Sequence, residues 1–158
     1  MTAQIPEILI YKNKKRAMCS EPLKMYFELS GKKIKSKYVC SALDRGYVGT
    51  WEIISDRLYL TKLQIGMKKK SDNVLETYFP DCARQVFAQW FTGKARVHKG
   101  KMLKYVHAGY ASVYEKDLFL YFENGILTKS EVVKNEKPDA IRKMVNSNRL
   151  FEVINRGK

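Results

Sequence analysis

The residues best suited to chemistry lie in one short stretch, Tyr105-Val106-His107-Ala108-Gly109-Tyr110-Ala111-Ser112-Val113-Tyr114-Glu115. Three tyrosines, a histidine and a serine surround a glycine there. Hydroxyls and an imidazole supply hydrogen-bond donors and acceptors, and the rings can stack on a base. His107 facing Glu115 would make an oriented general base if the two met in space. The competing reading is structural, with the tyrosines in the core and His107 bonded to backbone. A second group, Asp44-Arg45-Gly46-Tyr47 followed by Thr50 and Trp51, offers a guanidinium fork that matches phosphate or carboxylate. A surface pair of Arg45 with Asp44 or Glu52 is the alternative there.

Charge gives these groups a context. The chain has 158 residues with 30 Lys+Arg against 16 Asp+Glu, a formal net charge of +14. Between Asp81 and Glu115 it carries no acid, yet holds Arg84, Lys94, Arg96, Lys99, Lys101 and Lys104. Lys12–Arg16, Lys32–Lys37 and Lys68–Lys70 repeat that pattern. Such a surface attracts polyanions. Arg96, Lys99, Lys101 and Lys104 are therefore read as an anion-binding set, and Arg45, Tyr47, Trp51, His107, Tyr110 and Tyr114 as ligand-binding residues.

Several chemistries are missing. With only His98 and His107, a histidine-rich metal cage has no ligands. Cys19, Cys40 and Cys82 contain no close pair of the kind structural zinc sites use, so no metal or other cofactor is expected. Neither a GxxxxGK[ST] phosphate loop nor a Gly-x-Ser-x-Gly elbow occurs. Arg45-Gly46-Tyr47 matches the start of an RNA-recognition signature, but Val48, Gly49 and Thr50 depart from it.

These residues need elements to hold them. Glu7–Lys12 and Lys15–Cys19 read as a hairpin turned at Asn13-Lys14, and Ser20-Glu21-Pro22 as a helix entrance, with a stop at Gly31. Gly49–Ile54 and Leu58–Leu63 alternate with period two across Ser55-Asp56-Arg57. Asn124-Gly125 joins Leu118–Glu123 to Ile126–Lys129, the strongest hairpin cue in the chain. Asp81 caps an expected helix with the stripe Val86, Phe87, Trp90 and Phe91, ended by Gly93. Pro138 opens an expected final helix to about Val145, and Leu150–Ile154 is a short helix or strand. The sum is α+β: a mainly antiparallel sheet built from β-hairpins, packed against two or three helices, as one basic domain over residues 1–158.

The stretches Arg45–Ile53, Val86–Gly93 and Tyr105–Tyr114 resemble segments of small bacterial and phage-borne proteins that have no assigned activity. The resemblance spans about residues 5–133 and implies a free-standing cytosolic domain without supplying a mechanism. The odd, scattered cysteines fit a reducing cytoplasm, and no apolar run reaches the ~20 residues a membrane helix needs. The leading expectation is a basic module that binds nucleic acid or a phosphate-bearing nucleotide. A protein-interaction factor acting on an acidic partner is the second. An enzyme on a phosphorylated small substrate, using His107 with Glu115 or Tyr110, is the third.

Overall fold

The computed structural model describes residues 2–36, 40–67, 73–82 and 84–136. The expected helix from Pro138 and the segment Leu150–Ile154 lie outside the described residues, as does Lys68–Lys70. Eight strands form one mixed sheet: β1 (Glu7–Tyr11), β2 (Lys14–Met18), β3 (Tyr47–Ile54), β4 (Arg57–Ile65), β5 (Val86–Phe87), β6 (Gly93–Lys104), β7 (Val113–Glu123) and β8 (Ile126–Lys134). The helices are α1 (Pro22–Ser30), the single turn α2 (Leu75–Tyr78) and a 3-10 turn at Ser41–Leu43.

Strand order runs β3-β1-β2-β6-β7-β8-β4-β5, and β3 also pairs with β4. That extra pairing closes seven strands into a ring, with β5 added on β4. Closure removes the free edges an open sheet would expose. The seams differ in strength. β3 and β4 share a long antiparallel ladder, whereas β2 meets β6 only at Met18↔Val97 and β4 meets β8 only at Arg57↔Ile126. β1 runs parallel to β3, with Leu9 opposite Trp51.

Period-two alternation decides what faces the interior. Leu9, Met18, Trp51, Leu58, Leu60, Ala95, Val97, Leu118, Leu120 and Phe122 are buried there. α1 begins at Pro22, buries Pro22 and Leu23, and ends at Gly31, whose φ of 70 closes the last turn onto Phe27. Its Tyr26 packs against Phe79 and Trp90, and Phe27 meets Tyr47 edge-on.

The expected α+β class is corrected. Half the described residues are in strands and 13% in helices, so the fold is sheet-dominated, with two α-helices among the described residues. The difference arises chiefly at residues 81–93. Val86 and Phe87 pair with Leu60 and Tyr59 as β5 instead of starting a helix. Ala88 donates its N–H to Leu58 O and accepts from Phe91 N–H, while the Trp90 indole donates to Pro22 O at 2.8 Å. A short apolar run fits both templates, and the unpaired stretch of β4 supplied backbone partners that a helix would have left unused.

Candidate functional site

Glu7 opens β1 two residues before Leu9 and shares its inward face, so the strand carries a carboxylate into the interior. Glu7 is fully buried (0% exposed). Its Oε1 accepts from Arg45 Nε at 2.9 Å and lies 2.7 Å from Arg45 Nη2 as an ion pair without a directed hydrogen bond. Its Oε2 accepts from Gly49 N–H and Trp51 Nε1–H, each at 2.9 Å. A buried charge persists only when it is paired and bonded in this way. Burial pushes the Glu7 carboxyl up, to about 7, while Arg45, Trp51 and Gly49 pull it down.

The network continues outward. Arg45 Nη1 donates to Tyr110 Oη at 3.3 Å and stands 3.9 Å from Glu21 Oε1, and Tyr110 Oη–H donates to Glu21 at 2.8 Å. The segments Arg45–Trp51 and Tyr105–Glu115 therefore meet at the contact of Arg45 with Tyr110. The Arg45 side chain is 6% exposed and lies 5.5 Å over the Tyr47 ring. Burial raises the Tyr47 and Tyr110 phenols above their ordinary range, and both remain protonated donors.

Beside this network, between α1 and the segment Asp44–Tyr47, lies a groove of about 770 Å³. Lys24, Lys32 and Lys33 line it, and no carboxylate pairs with any of them among the described residues. Phe27 and Tyr47 contribute aromatic surface to the same groove, with Glu21, Glu28 and Asp44 also present. The Tyr47 hydroxyl has no hydrogen-bond partner among the described residues.

The other sequence-selected residues fall elsewhere. Trp51 is fully buried and serves Glu7, leaving no face for a ligand. His107 is exposed, with Nδ1 3.0 Å from Tyr105 Oη, and does not meet Glu115. Glu115 instead accepts from Lys101 N–H at 3.1 Å. Tyr114 stacks on the other histidine, His98, at 4.0 Å between centroids. His98 Nδ1 lies 3.3 Å from Asp117, which also receives Arg96 Nε at 3.1 Å and Asn135 Nδ2 at 2.9 Å.

Arg96 is thus committed to Asp117 and to the carbonyl of Tyr110, strapping the 105–112 loop along the thin β2–β6 seam. Burial raises the Asp117 carboxyl, but Asn135, Arg96 and His98 outweigh it and hold the group below the usual range. Burial lowers His98. Both shifts favour the folded state at higher pH, because the unfolded chain binds the protons more tightly. Asp117→Asn is accordingly expected to lower the midpoint of thermal unfolding at pH 7 and to flatten its fall between pH 5 and pH 3.

Lys99 is half-buried, while Lys101 and Lys104 are exposed. Among the described residues no group of His, Cys, Asp and Glu could hold a metal, and no helix is long and apolar enough to cross a membrane. Glu7, Glu21 and Asp117 were not in the sequence-based set of site residues. For Glu7 a signal existed, since it shares strand parity with Leu9. For Asp117 there was none, because its partners come from one distant strand, β6, and from the residue after β8.

Comparison of the chain with protein-family models, with curated proteins and with solved structures finds no match. The functional reading accordingly rests on the site.

Proposed function

We propose that this protein is a binding module for a phosphate-bearing nucleotide, free or as part of a nucleic acid, seated in the groove beside α1. The observation that carries this reading is the set of three lysines, Lys24, Lys32 and Lys33, that line a concave site with Phe27 and Tyr47 and have no carboxylate partner among the described residues, Lys32 donating only to the Tyr26 hydroxyl. Ammonium groups serve a phosphate as mobile point charges. Phe27 offers a ring for a base, and the Tyr47 hydroxyl supplies a donor with no hydrogen-bond partner among the described residues. Glu28 and Asp44 can accept hydrogen bonds from ribose hydroxyls or a base amino group. Arg45 supports the floor, spent on Glu7 and Tyr110. Three free thiols, Cys19, Cys40 and Cys82, accord with a cytoplasmic setting for such a module.

Titration calorimetry with nucleoside mono-, di- and triphosphates tests this. Saturable binding is expected, tighter with each added phosphate. Lys24→Glu with Lys33→Glu should weaken it by about tenfold or more, or about 1.4 kcal/mol. Tyr47→Phe should cost about 0.5–1.5 kcal/mol of affinity, the worth of one hydrogen bond. Absence of saturable binding to any nucleoside phosphate would sink the proposal.

A further inference from the structure

The β6–β7–β8 corner carries a second feature that the groove does not use. Strand register places Lys99 directly opposite Lys116, and Lys116 directly opposite Lys134. Directly opposed residues on adjacent strands share one face, with Cβ atoms about 4.5–5.5 Å apart. Three ammonium-bearing side chains therefore stand in a row about 10 Å long across three strands. Like charges in direct opposition repel, and no carboxylate pairs with any of these lysines among the described residues. Lys116 and Lys134 are exposed. Of the nearby acids, Asp117 binds Arg96, His98 and Asn135, Glu115 accepts from the Lys101 amide, and Glu136, past the end of β8, forms no ion pair with any lysine of the row.

We infer that this lysine row is a track for the phosphate backbone of duplex nucleic acid, separate from the groove. An uncompensated row of cations calls for an anion with repeated charges, and flexible four-carbon stems let each ammonium settle on its own phosphate. On the same face Tyr114 precedes Lys116 on β7 and the buried Leu118 follows it, with Val132 and Ser130 on β8. The Tyr114 ring is already stacked on His98, so the face offers no free ring to an unpaired base and suits a backbone. Contacts of this kind position a duplex without reading its sequence.

Fluorescence anisotropy with a short labelled duplex, titrated across a range of potassium chloride, is the test. In Lys99→Gln/Lys116→Gln/Lys134→Gln, affinity at moderate salt should fall about tenfold or more. The slope of log K against log salt should shrink by about 2.7, three phosphate contacts at about 0.9 each. Lys12→Gln/Lys14→Gln/Lys15→Gln removes the same charge at the β1–β2 turn and should change the slope by less than about 1. The groove variant Lys24→Glu/Lys33→Glu should leave the row's share of the slope in place, so either proposal can fail alone. A thermal melt of the row variant at or above the wild-type midpoint shows that the fold is intact. Three results would overturn the inference: unchanged duplex affinity, an equal loss in both triple variants, or a loss seen for polyglutamate or phosphatidylserine vesicles but not for the duplex.

Discussion

Arg45→Met is expected to destabilise the protein by about 3–5 kcal/mol, the cost of leaving a buried charge without its partner. Glu7 has no access to water, and Arg45 supplies both its ion pair and one of its three hydrogen bonds. The remaining donors, Gly49 N–H and the Trp51 indole, are fixed by the β3 backbone and the core and cannot move to replace it. Glu7→Gln combined with Arg45→Met should recover a large part of the loss, because the amide oxygen still accepts from Gly49 or Trp51 while no charge stays buried. Urea unfolding of wild type, both single variants and the double variant measures the coupling. A cost for Arg45→Met below about 1 kcal/mol would show that the pair behaves as an exposed one.

The same pair has a pH signature. Glu7 rises from 4.5 to about 7 on folding, so between those values the folded state binds the proton more tightly than the unfolded chain. Stability contributed by this group is therefore full below pH 4.5 and is lost as pH rises through about 7. Glu7→Gln removes the dependence. The stability of wild type relative to Glu7→Gln should thus fall as pH increases from 4.5 towards 7, and level off above it. A difference that is flat over this range, or of opposite slope, would show that the carboxylate stays ionised throughout.

Local cues in the chain located most hairpins, because those depend on neighbours in sequence. Ser55 and Asp56 take the positive φ values of a two-residue turn, and Asn124 and Gly125 do the same. The first hairpin turns at Lys12 and Asn13, one residue before the expected Asn13-Lys14. Pro22 and Gly31 bound α1 as their types imply. Ring closure was not legible, since it depends on β1 running parallel to β3 and on single-residue meetings at two seams. Residues 86–91 were misassigned for the same reason: their partners, Leu58 and Gly125, are distant in sequence. At the site, residue type pointed to Arg45, Tyr47 and Tyr110, but the buried acid that organises them came from a strand read only for its apolar residues. The lysine row was likewise hidden, because Lys99, Lys116 and Lys134 become neighbours only through strand register.

Gly125→Ala should be a strongly damaging single-methyl change at a turn of the described fold. At φ 77 an alanine pays for the left-handed backbone, about 1–2 kcal/mol. Its Cβ would also fall 2.8 Å from Ala88 C and 2.9 Å from a ring carbon of Phe87, and closer still to Ala88 O. Backbone cannot swing aside as a side chain can, so overpacking adds about 1–3 kcal/mol. The position also closes the ring: Gly125 N–H donates to Phe91 O, Gly125 O accepts from Leu58 N–H, and Leu127 N–H donates to Asp56 O next to the single β4–β8 pair. Displacing the turn therefore loosens the seam that joins β8 to β4. Gly31→Ala is the matched control, since its φ is 70 and nothing lies within 4 Å of the added Cβ. Denaturant unfolding should place Gly125→Ala at least about 1 kcal/mol below Gly31→Ala, the part due to overpacking alone. Hydrogen exchange should quicken first at the amides of Leu58 and Leu127. Equal losses in the two variants would mean that the β4–β8 seam yields freely, and that closure at this turn does not hold the ring together.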